Sequence, residues 1–230
     1  MALILSIETS TTVCSVALSQ DGHTIASLEE HQANSHATIL TVLINQLLSD
    51  KDISASQLSA VAVSSGPGSY TGLRIGVSVA KGICYAAKIP LIALPTLQII
   101  AANAVSRMDT NEDILLCPMI DARRMEVYSA LYRCNLQLVR DVTAEIITEE
   151  SYKNLLTTQK ILFAGNGASK CQTLIQHHNA RFINDVYAPA AEMGMLAFKK
   201  YNTQQFEDVA YFEPFYLKNF IATVPKKKLF

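Results

Sequence analysis

The chain lacks most of the signatures that announce a chemistry. It has no Cys-x-x-Cys pair, no His-Glu-x-x-His and no Gly-x-Ser-x-Gly, which removes zinc knuckles, zincin-type metal sites and the serine nucleophile elbow. Its five cysteines, Cys14, Cys84, Cys117, Cys134 and Cys171, are odd in number and scattered, so reduced thiols are expected and a disulfide framework is not. The histidines are His23, His31, His36, His177 and His178. His31 and His36 are five apart, a spacing that points two helical side chains in different directions, and no metal site is expected. No apolar run reaches the roughly 18 residues of a membrane span. The opening MALILSIETS has no positive n-region and too short an apolar stretch for a signal peptide, so the expected compartment is the cytoplasm. An excess of one charge is missing too: 19 Lys and Arg stand against 20 Asp and Glu, for a net charge of -1. That excludes a broad electrostatic footprint for nucleic acid. Only the short run Lys226-Lys227-Lys228 remains to meet phosphates locally.

What is present is a core. Half of the residues are hydrophobic and 17% are charged, in a chain long enough for one large domain or two small ones. Apolar runs at 3–7, 13–18 and 24–28, separated by a polar stretch and by the Asp21-Gly22 turn, predict three antiparallel strands. Ser35 is the expected N-cap of a helix carrying Leu40, Leu43, Ile44, Leu47 and Leu48. A strand at 60–64 then runs into Ser65-Gly66-Pro67-Gly68-Ser69, followed by a helix over about 70–88, a strand at 91–94 and a helix opening at Pro95. The polar stretch 106–113 sets the expected boundary between an N-terminal lobe, 1–107, and a C-terminal lobe, 108–230. The order then repeats. Strands are expected at 114–120, 125–132 and 137–140, then a short helix from Thr148 and a strand at 161–164 ending in Gly165-Asn166-Gly167. A helix over 168–177 and a long helix from Pro189, with Lys199 and Lys200 in its final turn, complete the pattern. Each half therefore predicts an α/β unit, a mixed sheet with flanking helices.

The loop around Gly66, Gly68 and Ser69 joins a strand to a helix N-terminus, so it can cradle a phosphate with backbone N–H groups or serve as a tight packing turn. No Lys-Ser/Thr pair closes it as a Walker loop would require. In the next helix Gly72, Gly76 and Ala80 recur every fourth residue and make one face nearly flat, with Val79 and Ile83 beside it. A flat face fits either the chain's own sheet or a partner helix. Glu8 and Asp121 are the acidic residues of the two turns, each standing alone, so neither a shared magnesium ion nor a general base is well supported.

With Ile4-Leu5-Ser6-Ile7-Glu8-Thr9-Ser10, the stretch from Ser65-Gly66-Pro67-Gly68-Ser69 through Tyr70-Thr71-Gly72-Leu73-Arg74-Ile75-Gly76, Ala80-Lys81-Gly82, the Ile120-Asp121-Ala122-Arg123-Arg124-Met125-Glu126-Val127-Tyr128 hairpin and Pro214-Phe215-Tyr216-Leu217-Lys218 in view, the sequence resembles the bacterial TsaB family over most of its length. The resemblance implies two tandem RNase H-like lobes of actin/hexokinase/Hsp70-like type. It implies a non-catalytic subunit that binds TsaD, and through that assembly a TsaE-type ATPase and, indirectly, tRNA. The complex installs threonylcarbamoyl on the adenosine next to the anticodon. TsaD carries a metal site whose two histidines are four apart on the helix corresponding to the one after Ser35. Here His36 stands in one of those places and Leu40 in the other. The resemblance places the dimer surface, with TsaD or a second copy, on His36, Leu40, Leu43, Leu47, Gly72, Arg74, Gly76, Val79, Ala80 and Ile83. On that view Gly76→Leu or Leu43→Asp removes TsaD binding and leaves the fold intact. No tightly bound cofactor is implied, with ATP or ADP at the partner interface the remaining option. An ATP-dependent phosphotransferase or a metallopeptidase of the same fold is the alternative.

Overall fold

A computed structural model describes residues 1–32, 35–108 and 112–218. Strands β1 (Leu3–Glu8), β2 (Cys14–Gln20) and β3 (His23–Glu30) form an antiparallel meander. The hinge of its second turn is Asp21-Gly22, where both residues take positive φ, 48° and 88°. Asp21 also ties the turn to the chain start, since its carboxylate accepts from the Ala2 N–H at 2.7 Å. Helix α1 (His36–Ser49) follows, then β4 (Ala60–Gly66) parallel to β1, helix α2 (Tyr70–Ala87), β5 (Leu91–Pro95) and helix α3 (Thr96–Ser106). The second half contributes β6 (Ile114–Asp121), β7 (Glu126–Tyr132), β8 (Leu138–Ile146), the single turn α4 (Lys153–Leu156), β9 (Lys160–Ala164), β10 (Ala180–Ile183) and helix α5 (Gly194–Asn202).

The two five-stranded sheets have orders β3-β2-β1-β4-β5 and β10-β9-β6-β7-β8. Numbered within each half, both read third, second, first, fourth, fifth. The repeat anticipated from the order of apolar runs is therefore a repeat of topology. Its helices are less faithful. The expected helix over 168–177 is a 3-10 turn at Ser169–Cys171 followed by irregular turns. Only Ala168, Cys171 and Ile175 are buried there, so one turn suffices to seat them. Ser, Cys, Thr and His are weak helix formers, and a ten-residue helix of them has little to hold it. The helix expected from Thr148 is likewise reduced to α4, and the last helix begins as a 3-10 turn at Ala190–Met193.

Over β1, β2, β4 and β5, with β3 at its partly exposed edge, the first sheet is buried on both faces. On one, Leu5, Ile7, Val16 and Leu18 meet α1 and α2 through Leu40, Leu43, Leu47, Val77 and Ala80. On the other, Ile4, Ala17, Ala62 and Leu94 join a core that also holds Leu97 and Ile100 of α3, Ile114 and Leu116 of β6, and Leu196 and Ala197 of α5. That core belongs to both halves. Helix α3 packs on β6, while α5 returns from the second half to pack on β5, β1 and β2. Among the described residues no helix is long and apolar enough to cross a membrane.

Candidate functional site

The two sheets open toward a cleft of about 740 Å³, lined by residues 10–12, 67–72, 120–123 and 215–218 together with His36, Tyr128 and Asn166. Its floor on one side is the glycine loop. Ser69 caps α2, its Oγ accepting from the Gly72 N–H at 3.2 Å, while its own N–H donates to the Ser10 carbonyl at 2.7 Å. Ser69→Ala should cost about 1 kcal/mol of stability, read from urea unfolding, because one orphan donor of α2 loses its acceptor. Ser35 behaves differently. It precedes α1, but its backbone is helical and its hydroxyl donates backward to the Gln32 carbonyl at 2.7 Å, so it makes no side-chain cap.

The glycines of the loop are filled by the chain itself. A Cβ on Gly66 (φ 107°) would lie 2.5 Å from the Phe215 carbonyl oxygen, and one on Gly68 would lie 2.4 Å from that of Ser10. Tight packing thus accounts for both. The same is true along α2. A Cβ on Gly72 would lie 2.1 Å from the Thr9 carbonyl oxygen, and one on Gly76 would lie 2.2 Å from Thr9 Oγ1. The flat face runs inward, against the end of β1. Leu40, Leu43, Leu47 and Ala80 are buried in the core, and His36 is 8% exposed at the cleft. These residues of the expected partner surface are therefore consumed by the fold, and Gly76→Leu or Leu43→Asp strikes the core and not an open face. Of that set Arg74 is exposed, and Val79 and Ile83 are half-buried on α2. On α1 Val42 is 52% exposed, and the sequence did not single it out because it lies off the leucine stripe.

The acidic residues do not face one another as a pair. Glu8 is fully enclosed. Its Oε1 accepts from the N–H and hydroxyl of Ser10, and its Oε2 has no hydrogen-bond partner among the described residues. Burial pushes its carboxyl up to about 7, against the opposing pull of the Ser10 hydrogen bonds. Asp121 is exposed and engaged: it pairs with Lys170 and accepts from the Arg123 N–H at 2.8 Å. Among the described residues no three His, Cys, Asp or Glu side chains cluster as a metal set. One turn after His36, whose buried Nε2 has no hydrogen-bond partner among the described residues, Leu40 is 1% exposed in the core. The cysteines are unpaired; burial raises the thiols of Cys14, Cys84 and Cys171 to about 11 and that of Cys117 to about 12, so none of these four is a ready nucleophile.

Sequence reasoning did not foresee what the segment after α5 does. It crosses the outside of the first lobe and enters the cleft, where the Tyr216 ring lies 4.8 Å from that of Tyr70. Arg74 donates to the Tyr70 hydroxyl at 2.9 Å. The conspicuous Pro214-Phe215-Tyr216-Leu217-Lys218 string was its one signal. The Lys226-Lys227-Lys228 run lies outside the described residues.

Paired sheets of one topology around a cleft define a two-lobed protein of the actin/hexokinase-like ATPase fold. The inorganic polyphosphate/ATP-glucomannokinase of an Arthrobacter strain shares that fold, with a TM-score of 0.51 at 10% identity over 89% of this chain and 100% of the other. Nearer is a crystal structure from Pseudomonas aeruginosa, described as an uncharacterized protein with similarity to peptidase YeaZ. It matches with a TM-score of 0.84 and 26% identity, over 95% of this chain and 100% of that one. A family model described as TsaD, tRNA N6-adenosine threonylcarbamoyltransferase, matches residues 24–226. The tRNA threonylcarbamoyladenosine biosynthesis protein TsaB of Bacillus subtilis is 32% identical over 176 residues, 75% of each chain. The chain belongs to the TsaB family of tRNA threonylcarbamoyladenosine biosynthesis proteins.

Proposed function

We propose that this chain is the non-catalytic subunit of a tRNA threonylcarbamoyltransferase assembly, holding TsaD through the outward faces of α1 and α2. The observation that carries the reading is the state of the would-be reactive groups. Glu8 is enclosed and bonded to Ser10, Asp121 is paired with Lys170, and a core leucine occupies the position one turn from His36. A side chain at position 40 points into the fold, so a second imidazole there would not reach the cleft. The partner face consists of Val42 on α1 with Arg74, Val79 and Ile83 on α2, an apolar strip with a cationic edge. Through TsaD the chain reaches a TsaE-type ATPase and, indirectly, tRNA, in the cytoplasm. It binds no cofactor tightly itself; ATP or ADP sits at the partner interface if anywhere.

Val42→Asp should abolish co-purification with TsaD from co-expressing cells while leaving the melting curve unchanged, because the side chain is half in solvent already. Retained TsaD would mean that the face is wrong. The purified chain alone should hydrolyse ATP no faster than a buffer blank. Turnover that Glu8→Ala abolishes would instead overturn the non-catalytic reading.

A further inference from the structure

We propose that residues 207–218 form a strap that latches the two lobes across the mouth of the cleft, with the ion pair of Lys218 and Glu126 as the latch. The strap is fixed to the first lobe along its length by its backbone. The Glu207 N–H donates to the Leu91 carbonyl at 2.9 Å. Lys81 of α2 donates to the carbonyls of both Ala210 and Phe212 at 3.0 Å. The Phe215 N–H donates to the Ser65 carbonyl at 2.7 Å, in the space that Gly66 leaves by having no Cβ. At its far end the strap leaves the first lobe, and Lys218 pairs with Glu126, the first residue of β7 in the second.

The position of this one pair gives it leverage. Below the cleft the lobes are joined by their shared apolar core, which acts as the hinge. At the mouth, residues 120–123 of the second lobe face residues 10–12 and 67–72 of the first. A tie between the strap end and β7 bridges that gap on the side away from the hinge. Both partners keep solvent contact, with the Lys218 side chain 47% and that of Glu126 21% exposed, so the tie is breakable and screened by salt. The strap also carries Tyr216 against Tyr70, the first residue of α2. Opening therefore tugs the helix that presents the partner face, a coupling that rests on the function proposed above; the latch itself does not.

The test is made on the chain alone, so its outcome is independent of TsaD binding. Spin labels are placed at Ala37 and Arg124, exposed positions on the two rims, with Cys134→Ser to remove the one native cysteine that is not buried. Pulsed dipolar spectroscopy should give one narrow distance distribution for the otherwise unaltered chain. Lys218→Glu should shift it to longer distances and broaden it, as should 1 M NaCl. The charge swap Lys218→Glu with Glu126→Lys should restore the narrow distribution. An unchanged distribution in Lys218→Glu overturns the latch. So does a charge-swapped chain that stays as open as Lys218→Glu alone.

Discussion

Gly72→Ala should destabilise the protein by about 3 kcal/mol or more, the upper end of what overpacking costs, although alanine is the better helix former. The new methyl would lie 2.1 Å from a backbone oxygen, that of Thr9, and backbone at the end of a buried strand cannot step aside as a flexible side chain would. Gly82, ten residues further along the same helix, is the internal control. Among the described residues, its own helix's nearby backbone aside, nothing lies within 4 Å of where its Cβ would be, so Gly82→Ala should stabilise by about 0.5 to 1 kcal/mol. Urea unfolding of the two variants checks both signs at once. Equal effects would show that α2 does not seat against β1 as described. Gly76→Leu, with Thr9 Oγ1 in its way at 2.2 Å, should fail to fold, and so cannot report on partner binding.

A second large effect concerns Glu8→Gln, and it depends on pH. The carboxyl of Glu8 sits at about 7 in the folded chain against 4.5 as the reference for the unfolded one. The folded state thus holds its proton where the unfolded state has lost it. Stability from this group is intact below about pH 4.5, declines as pH rises toward 7, and is lost by roughly 3 kcal/mol above that. The sign is opposite to that of a salt-bridged carboxylate. Gln cannot ionise and keeps an oxygen for the Ser10 donors. The variant should match the parent near pH 4.5 and exceed it by roughly 3 kcal/mol at pH 8. Unfolding curves at both values decide it: a difference independent of pH would mean that Glu8 ionises in the folded chain as it does in the unfolded one.

These expectations show which parts of the molecule could be read from residues alone. The succession of strands along the chain was legible, though not their order in the sheets, because most strands are short apolar runs ended by turn chemistry, as at Asp21-Gly22. Strand β10 was missed because its four residues follow His177-His178-Asn179 without an alternating pattern. The helix at 168–177 was misread because Cys171, Leu174 and Ile175 have helical spacing, yet only a turn's worth of surface needs covering. The site was legible in part. Periodicity revealed the smooth face of Gly72, Gly76 and Ala80 but not its direction, since spacing defines a stripe and contact alone says what meets it. Thr9, the residue it meets, is 63 positions before Gly72 and marked by nothing in the sequence. Glu8 was recognisable as an acid in a turn. Its enclosure depends on Ser10 and Ser64, which converge only when β1 and β4 pair.

The return of α5 to the first sheet has a consequence for how the chain is made. Strands β1 to β5 are complete by Pro95 and α3 follows at once to pack on β4 and β5, but the helix that covers the same face of β1 and β2 begins at Gly194. At about 5 to 20 residues per second, a ribosome leaves that face without its cover for roughly 5 to 20 s. The half that emerges first is therefore the half finished last. During that interval its apolar strands stay exposed, which makes the nascent first lobe the natural client for a chaperone.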